Sequence, residues 1–410
     1  MEMGRKYCIF SLAKPHLSAF KAIMANILFI MLPETGHLHP TFKIASVLKA
    51  HGHRVFYAEL REWEEAVVSQ GMEFLPLFAS LFSEGWAVEE KFNISPYEAV
   101  CDMIEARAAA IGVSGMDILN EELRVLCERA EPDLIVVDYY TGYLAVAVRE
   151  SKIPCVVLNT NLAYLHDIAA LRDLPRIILC PEEFDFPHVI STREHEYAES
   201  SLHLQRGNIP FPWEWVDEGK RLVYCSLGTQ SHWSYRGADH ERNQRMRRHF
   251  LQTVVNAMAS RQDYQLVVSI GSYLRAEDFH PVPTNALLVS HTPQIDILKR
   301  ASLMITHGGL NTIKECIFFG VPMIVFPLVG DQFGNAERVV HHKLGLSGNI
   351  ATASVGLIDS LLGEIERNPT YRLNVESMRE VFRKKEGEER AVKKIESVIQ
   401  MNHRSAMRPG

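Results

Sequence analysis

Short apolar runs, separated by stretches with helical spacing, recur along the chain from Met24 onwards. Runs of this length bounded by turn residues are typical of strands that are buried on both faces. Apolar residues three and four apart predict a helix over Thr41–His51, after a loop at 33–40. The predicted strands are Ile27–Leu32, Arg54–Ala58, Leu134–Val137 and Cys155–Leu158 in the first half, and Leu222–Ser226, Leu266–Ser269, Leu287–Val289, Leu303–Thr306 and Met323–Phe326 in the second.

Strands that alternate with helices predict an α/β protein with two doubly wound, Rossmann-like domains. Their parallel sheets should face each other across a cleft, and ligands should bind at the carboxyl ends of the strands. Pro210 and Pro212 mark the expected linker. We expect a disordered extension over 1–23, domains over 24–210 and 211–385, and a C-terminal helix and tail over 386–410. The charged run 376–400 fits a solvated helix and a helix packed across both domains equally well.

The composition excludes several classes of protein. Apolar residues make up 47% and charged residues 23%, as in globular domains, and the net charge is −7. An acidic balance disfavours nucleic acid or an anionic membrane as the main partner. Seven cysteines without a CxxC pair indicate reduced thiols, and no apolar run approaches the ~20 residues of a membrane helix. We therefore expect a cytoplasmic monomer or dimer with no transmembrane segment.

The most informative segment begins where a predicted strand ends at Thr306. His307, two glycines and the start of a helix follow. A helix N-terminus presents free N–H groups and partial positive charge, and glycines allow close backbone approach, so the segment suits a diphosphate. Asn311 and Thr312 fall in the first helical turn, within reach of phosphate oxygens. Glu315 lies one turn further on, where a carboxylate can accept hydrogen bonds from a ribose diol.

Two further groups of polar residues follow neighbouring strands. Asp331 and Gln332 lie in a loop after the strand ending at Phe326, and an adjacent acid and amide suit the hydroxyls of a hexose. His291-Thr292-Pro-Gln294 follows another strand, and the His291 ring is a candidate for stacking on a nucleobase. A partly buried structural role for His291 is nearly as well supported.

Together the motifs HTPQ, HGGLNTIKE, GVPMIVFP and DQ resemble the donor-binding signature of the family 1 GT-B glycosyltransferases, the UDP-glycosyltransferases. The resemblance implies a nucleotide-sugar donor. This chain has His291 where the plant pattern usually has tryptophan, which leaves uridine and thymidine donors open. The donor-binding residues that the resemblance implies are Gly228, Thr229, His307, Gly309, Asn311 and Thr312 at the phosphates, His291, Thr292, Gln294 and Glu315 at the nucleoside, and Asp331 and Gln332 at the sugar.

The same resemblance implies that His37, in the sequence GHLHP, is the general base. A histidine has a pKa suited to removing a proton from an acceptor hydroxyl. Asp138 follows a predicted strand of the same domain, so it should reach the same sheet edge and orient the imidazole. The alternative for Asp138 is the N-cap of the next helix. A metal pair of His37 and His39 lacks an evident third ligand.

No Asp-x-Asp follows a predicted strand, so we expect metal-independent transfer without a cofactor, from UDP-glucose or a TDP-sugar. The aromatic residues of the first domain suggest a small apolar or aromatic acceptor. Met323 stands eight residues after Glu315, where retaining relatives carry a second acid, and this predicts inversion. A nucleotide-sugar epimerase and a non-catalytic nucleotide-sugar-binding subunit are the alternatives. Phe78, Phe82, Trp86 and Tyr164 are either acceptor-pocket or core residues, and the basic stretch Arg242–Arg248 is predicted to be a solvated helix face.

Overall fold

Two parallel β-sheets organise the computed structural model, which describes residues 24–81, 96–162, 171–187, 195–206, 209–228 and 238–406. The first sheet has the strand order β3-β2-β1-β4-β5-β6-β7. The order reverses between β1 and β4, which opens a crevice at their carboxyl ends. Its strands are β1 (Asn26–Ile30), β2 (Arg54–Glu59), β3 (Glu73–Pro76), β4 (Leu134–Asp138), β5 (Cys155–Asn159), β6 (Arg176–Ile178) and β7 (His195–Tyr197).

The second sheet repeats this plan with the order β10-β9-β8-β11-β12-β13, and its reversal lies between β8 and β11. Every pair of neighbouring strands in both sheets is parallel. The predicted doubly wound α/β architecture is therefore confirmed. The strands are β8 (Arg221–Ser226), β9 (Tyr264–Ser269), β10 (Ala286–Val289), β11 (Ala301–Thr306), β12 (Met323–Val325) and β13 (Gly345–Ser347).

Helices cover both faces of each sheet, and four clusters of buried apolar residues form the core. The expected linker runs into a short 3₁₀ helix at Trp213–Trp215. The α-helices are α1 (Thr35–Ala50), α2 (Glu64–Ser69), α3 (Pro96–Ile111), α4 (Gly115–Ala130), α5 (Gly142–Glu150), α6 (Ala238–Met258), α7 (Gln294–Leu298), α8 (Leu310–Phe319), α9 (Gln332–His341), α10 (Val355–Arg367), α11 (Thr370–Glu386) and α12 (Arg390–Ala406).

All nine predicted strands are present, but β3, β6, β7 and β13 were not predicted. Each is three or four residues long and lies at or next to a sheet edge. Polar or glycine residues interrupt their apolar pattern, as in the sequences HEY and GLS. Such short strands form because a neighbouring strand offers its backbone hydrogen bonds, and local sequence does not record that.

The predicted loop at 33–40 is wrong, because α1 begins at Thr35 and contains Pro40. Proline inside a helix cannot donate a hydrogen bond to the carbonyl four residues earlier, here that of Gly36. In this structure the Gly36 carbonyl accepts a hydrogen bond from Asn311 Nδ2 of the second domain at 2.6 Å. The helix therefore tolerates Pro40, and Gly36 and His37 lie in its first turn.

The charged C-terminal run forms two helices that pack on different domains. Val375 and Phe382 of α11 belong to a buried cluster formed mostly by the second domain. Ile395 and Ile399 of α12 pack with Phe29 in a core cluster of the first domain. Of the two alternatives for this run, packing across both domains is the one observed. In the part of the chain that the structure describes, no helix is long and apolar enough to cross a membrane.

Candidate active site

His37 and Asp138 meet at the carboxyl edge of the first sheet. His37 lies in the first turn of α1, directly after β1, and Asp138 is the last residue of the neighbouring strand β4. His37 Nδ1 lies 2.8 Å from Asp138 Oδ2, and Thr160 Oγ1 lies 2.9 Å from the same nitrogen. The N-cap alternative for Asp138 is wrong, since α5 begins at Gly142 with Thr141 as its cap residue. The Asp138 carboxylate instead accepts a hydrogen bond from Tyr140 N.

The electrostatics of this pair favour a charged imidazole. Burial lowers the pKa of His37, but the charge and hydrogen bond of Asp138, together with the charges of Glu34 and Asp331, outweigh it and raise the pKa to about 9. Asp331 belongs to the second domain, and Asn311 of the same domain donates a hydrogen bond to the Gly36 carbonyl, so the two domains face each other at His37. Burial raises the pKa of Asp331 itself, while a hydrogen bond from Asn335 and the charge of His37 oppose that rise.

His39 does not share the site of His37. Its ring packs edge-on against His203 and tilted against Phe42. Burial, with the charges of Arg206 and His203, lowers the pKa of His39 to about 3. Among the described residues, no group of three or more His, Cys, Asp or Glu is arranged to hold a metal ion.

The donor segment forms the predicted strand–turn–helix, and the ring of His307 packs tightly between two glycines. A Cβ atom added to Gly228 would lie 2.4 Å from the ring, and one added to Gly309 would lie 2.6 Å from it. Gly228 also has a φ of +73°, which favours glycine. Burial and the charge of Arg247 lower the pKa of His307 to about 4. The imidazole is therefore neutral at pH 7 and offers a hydrogen bond at the mouth of α8.

Glu315 and Gln294, both predicted at the ribose, lie next to each other. Gln294 Nε2 donates to Glu315 Oε2 at 2.5 Å, and the Glu315 side chain is buried. Arg206 also forms an ion pair with Glu315. Arg206 was not predicted from the sequence, because it lies in an irregular segment without a motif. Tyr224 was not predicted either, and its hydroxyl lies 2.6 Å from Thr292 Oγ1 and 3.2 Å from Gln294 Oε1.

Asp331 and Gln332 begin α9 at the edge of β12. Asp331 Oδ2 accepts a hydrogen bond from Asn335 Nδ2 at 2.9 Å, and the same amide donates to the Gly308 carbonyl at 3.0 Å. This ties the predicted sugar site to the predicted phosphate turn. Gln332 is only 4% exposed, and its Oε1 accepts hydrogen bonds from the backbone of 328 and 329. Because the Gln332 oxygen is bound to the loop backbone, we expect the Gln332 amide nitrogen to make any contact with a sugar.

Other predicted donor residues are spread around this centre. His291 is exposed, with Nε2 3.1 Å from Ser272 Oγ, so the buried structural alternative is wrong. Asn311 and Thr312 are half-buried in the first turn of α8, and Asn311 points at Gly36.

Phe78, a candidate for the acceptor pocket or the core, is fully buried in the core of the first domain. Predicted residues outside the described part of the chain are Thr229, Phe82, Trp86 and Tyr164.

The basic stretch on α6 is only partly a solvated face. Arg242, Arg245 and Arg248 are exposed, as predicted. Arg247 is wrongly predicted, since it is 4% exposed and faces the second sheet's carboxyl edge, where its charge acts on His307. A single buried residue in a run of charged residues carries no signal in the sequence.

A family model and several relatives match this chain. The model of the family described as UDP-glucoronosyl and UDP-glucosyl transferase matches residues 276–409. An uncharacterized UDP-glucosyltransferase of Bacillus subtilis strain 168, YojK, is 22% identical over 93% of this chain and 100% of its own.

Solved structures share the whole architecture. The glycotransferase of kitacinnamycin has a TM-score of 0.71 and 23% identity, over 92% of this chain and 99% of its own. The glycosyltransferase VinC, solved in complex with DTDP, has a TM-score of 0.66 and 17% identity, also over 92% and 99% of the two chains. Fold, family model and full-length relatives agree, and together they support a family 1 glycosyltransferase of the GT-B fold.

Proposed function

We propose that this glycosyltransferase moves a hexose from a UDP-sugar to a hydroxyl of a small acceptor with inversion at the anomeric carbon, and that His37 is its general base. The observation that carries the proposal is the His37–Asp138 pair, 2.8 Å apart, at the sheet edge that faces Asp331 of the second domain. A base on one domain and a sugar-binding acid on the other suit a reaction between an acceptor and a donor.

The ring nitrogens of His37 take different roles in this proposal. Nδ1 is engaged by Asp138 and Thr160, so Nε2 is the atom that accepts the acceptor's proton. As the proton leaves, the acceptor oxygen forms its bond to the anomeric carbon and the bond to the diphosphate breaks on the opposite face. Asp138 stabilises the imidazolium that results, and its hydrogen bond fixes the ring orientation.

The departing diphosphate gathers negative charge, which needs stabilisation. We assign that task to the N-terminus of α8 and to a hydrogen bond from neutral His307. In this proposal no metal ion and no cofactor takes part. Transfer should therefore proceed at the same rate with and without a chelator, and a loss of activity in EDTA that Mg²⁺ restores would contradict it.

For the nucleobase of the donor, a TDP-sugar is the second candidate. Its support is the structural neighbour VinC, which was solved with DTDP. The exposed His291 ring offers less stacking area than an indole, so it selects little between uracil and thymine. For the acceptor we propose an apolar or aromatic natural-product type, in line with the kitacinnamycin neighbour.

The test is a screen of UDP- and TDP-sugars against phenols and macrolides, with mass spectrometry for glycosides and NMR for the anomeric configuration. We expect β-glycosides from α-linked donors. A changed sugar configuration without any acceptor would indicate an epimerase. Donor binding without turnover on any acceptor would indicate a non-catalytic subunit, and α-glycosides would contradict inversion.

A further inference from the structure

Helix α6 carries two polar side chains, one turn apart, with buried atoms that find no hydrogen-bond partner in the described part of the chain. Arg247 is 4% exposed, and its Nε is unpartnered among the described residues. On the preceding turn, both Nε2 and Oε1 of Gln244 are buried and unpartnered. Buried polar groups in native proteins are almost always hydrogen-bonded, and leaving them unpaired costs stability. Two such residues on one helix face indicate a role other than folding.

The position of Arg247 connects this helix face to the predicted donor site. Its Nη2 lies 3.8 Å from where a Cβ atom of Gly271 would lie. Gly271 follows β9 at its carboxyl end and donates its N–H to the carbonyl of Ser290, the residue before His291. On the other side, the charge of Arg247 acts on His307. The guanidinium thus lies between the positions predicted for the nucleobase and the diphosphate.

The charge of Arg247 is not balanced by a carboxylate in the described part of the chain. The contrast with Arg338 is direct, because Arg338 is also buried and pairs with Asp185 at 2.8 Å. Burial lowers the pKa of Arg247 to about 10, which leaves the guanidinium protonated at neutral pH. A buried, protonated and unpaired guanidinium suits an anionic ligand, and its planar fork matches phosphate oxygens.

We propose that Arg247, supported by Gln244, binds the diphosphate of the donor and stabilises it as the leaving group. This assignment rests on the proposed function. When the bond from the anomeric carbon to the diphosphate oxygen breaks, the electron pair stays on that oxygen. Arg247 lies in place to donate hydrogen bonds to the charge that forms, beside His307 and the N-terminus of α8.

The test compares Arg247→Gln with Arg248→Gln, a matched control that removes the same charge from the exposed neighbouring position. Calorimetry measures the binding of inorganic pyrophosphate, UDP and uridine. A charge-assisted hydrogen bond predicts that Arg247→Gln weakens pyrophosphate and UDP binding by about 10–100-fold. Uridine binding should be unchanged, and the control should stay within about twofold of wild type. Wild-type pyrophosphate affinity in Arg247→Gln, or an equal loss for uridine, would overturn the proposal.

Thermal unfolding separates a ligand-binding role from a structural one. Because Arg247→Gln removes an unpaired buried charge, the free variant should unfold at the wild-type temperature or above it. The stabilisation by pyrophosphate should shrink, and Arg247→Lys should restore part of it. A large drop in unfolding temperature with an unchanged pyrophosphate shift would make Arg247 structural and overturn the proposal.

The outcomes also distinguish this proposal from the proposed function. A wild-type protein that binds pyrophosphate through Arg247 and transfers no sugar contradicts the proposed function alone. A wild-type protein that transfers sugar, with an Arg247→Gln variant that binds pyrophosphate normally, contradicts the diphosphate assignment alone.

Discussion

Asn311 of the donor-binding helix α8 donates a hydrogen bond from Nδ2 to the carbonyl of Gly36, which directly precedes His37. The distance is 2.6 Å, and the carbonyl is one that Pro40 cannot satisfy within α1. Asn311 was predicted to contact phosphate oxygens, but in this structure its side-chain amide holds the helix that carries the proposed base. This hydrogen bond across the domain interface links the predicted donor site to the proposed base.

Loss of this contact should slow transfer without weakening donor binding. We expect Asn311→Ala to lower kcat by about twofold to tenfold, the rate equivalent of one hydrogen bond. Steady-state kinetics and UDP calorimetry on the same preparation give the two quantities. A large fall in UDP affinity with kcat unchanged would assign Asn311 to the phosphates instead.

The raised pKa of His37 predicts an alkaline pH profile. The base must be deprotonated to act, so kcat/KM for an alcohol acceptor should rise with pH through an apparent pKa near 9. Asp138→Asn removes the charge that raises this pKa and should move the rise to lower pH, with a smaller maximum rate. If both proteins gave the same pH profile, the group that titrates in the profile would not be His37, which would contradict the assignment.

The same pair contributes to stability in a defined pH window. The pKa of His37 rises from 6.5 to about 9 on folding, so its contribution is full below pH 6.5 and is lost as pH rises through about 9. Denaturant unfolding at the two ends of this window gives the free energy of unfolding of the wild type and of Asp138→Asn. The difference between these two free energies should be smaller at the alkaline end.

Gly228 is predicted to tolerate no side chain because the His307 ring occupies the space. A Cβ atom there would lie 2.4 Å from the ring, so Gly228→Ala should displace His307 and weaken diphosphate binding. The matched control is Gly112→Ala, which has a φ of +72° and no atom within 4 Å of the added Cβ. Both variants should lose backbone stability, but only Gly228→Ala should lose UDP affinity. Equal UDP affinity in the two variants would contradict the assignment of His307 to the phosphate site.

Glu315 is expected to recognise the ribose diol. Glu315→Gln should weaken UDP binding by about tenfold, the loss of one charged hydrogen bond, and should weaken binding of 2′-deoxy-UDP much less. Calorimetry with the two nucleotides measures this difference. An equal loss of affinity for UDP and 2′-deoxy-UDP would indicate that Glu315 acts through its ion pair with Arg206, as a structural residue, and not through the ribose diol.

Much of this site was predictable because its residues follow strands. Parallel strands bring their carboxyl ends to one edge, so the apolar runs before His37, Asp138 and His307 were enough to place these residues. Arg206, Tyr224 and Arg247 could not be predicted, since each reaches the site through tertiary packing from a segment without a motif. The early start of α1 was missed for the same reason. Its Pro40 is accommodated by Asn311, 271 residues away in the other domain.

Turnover of His37→Ala tests the central claim most directly. Wild type and variant are compared on an unactivated alcohol and on an acidic phenol, with UDP affinity measured in parallel. If His37 is the base, turnover of the alcohol should fall by about 10²–10⁴, and turnover of the phenol, which ionises more readily, should fall less. UDP affinity should hardly change, because the donor residues lie in the other domain. Turnover of the alcohol near the wild-type rate would contradict the account.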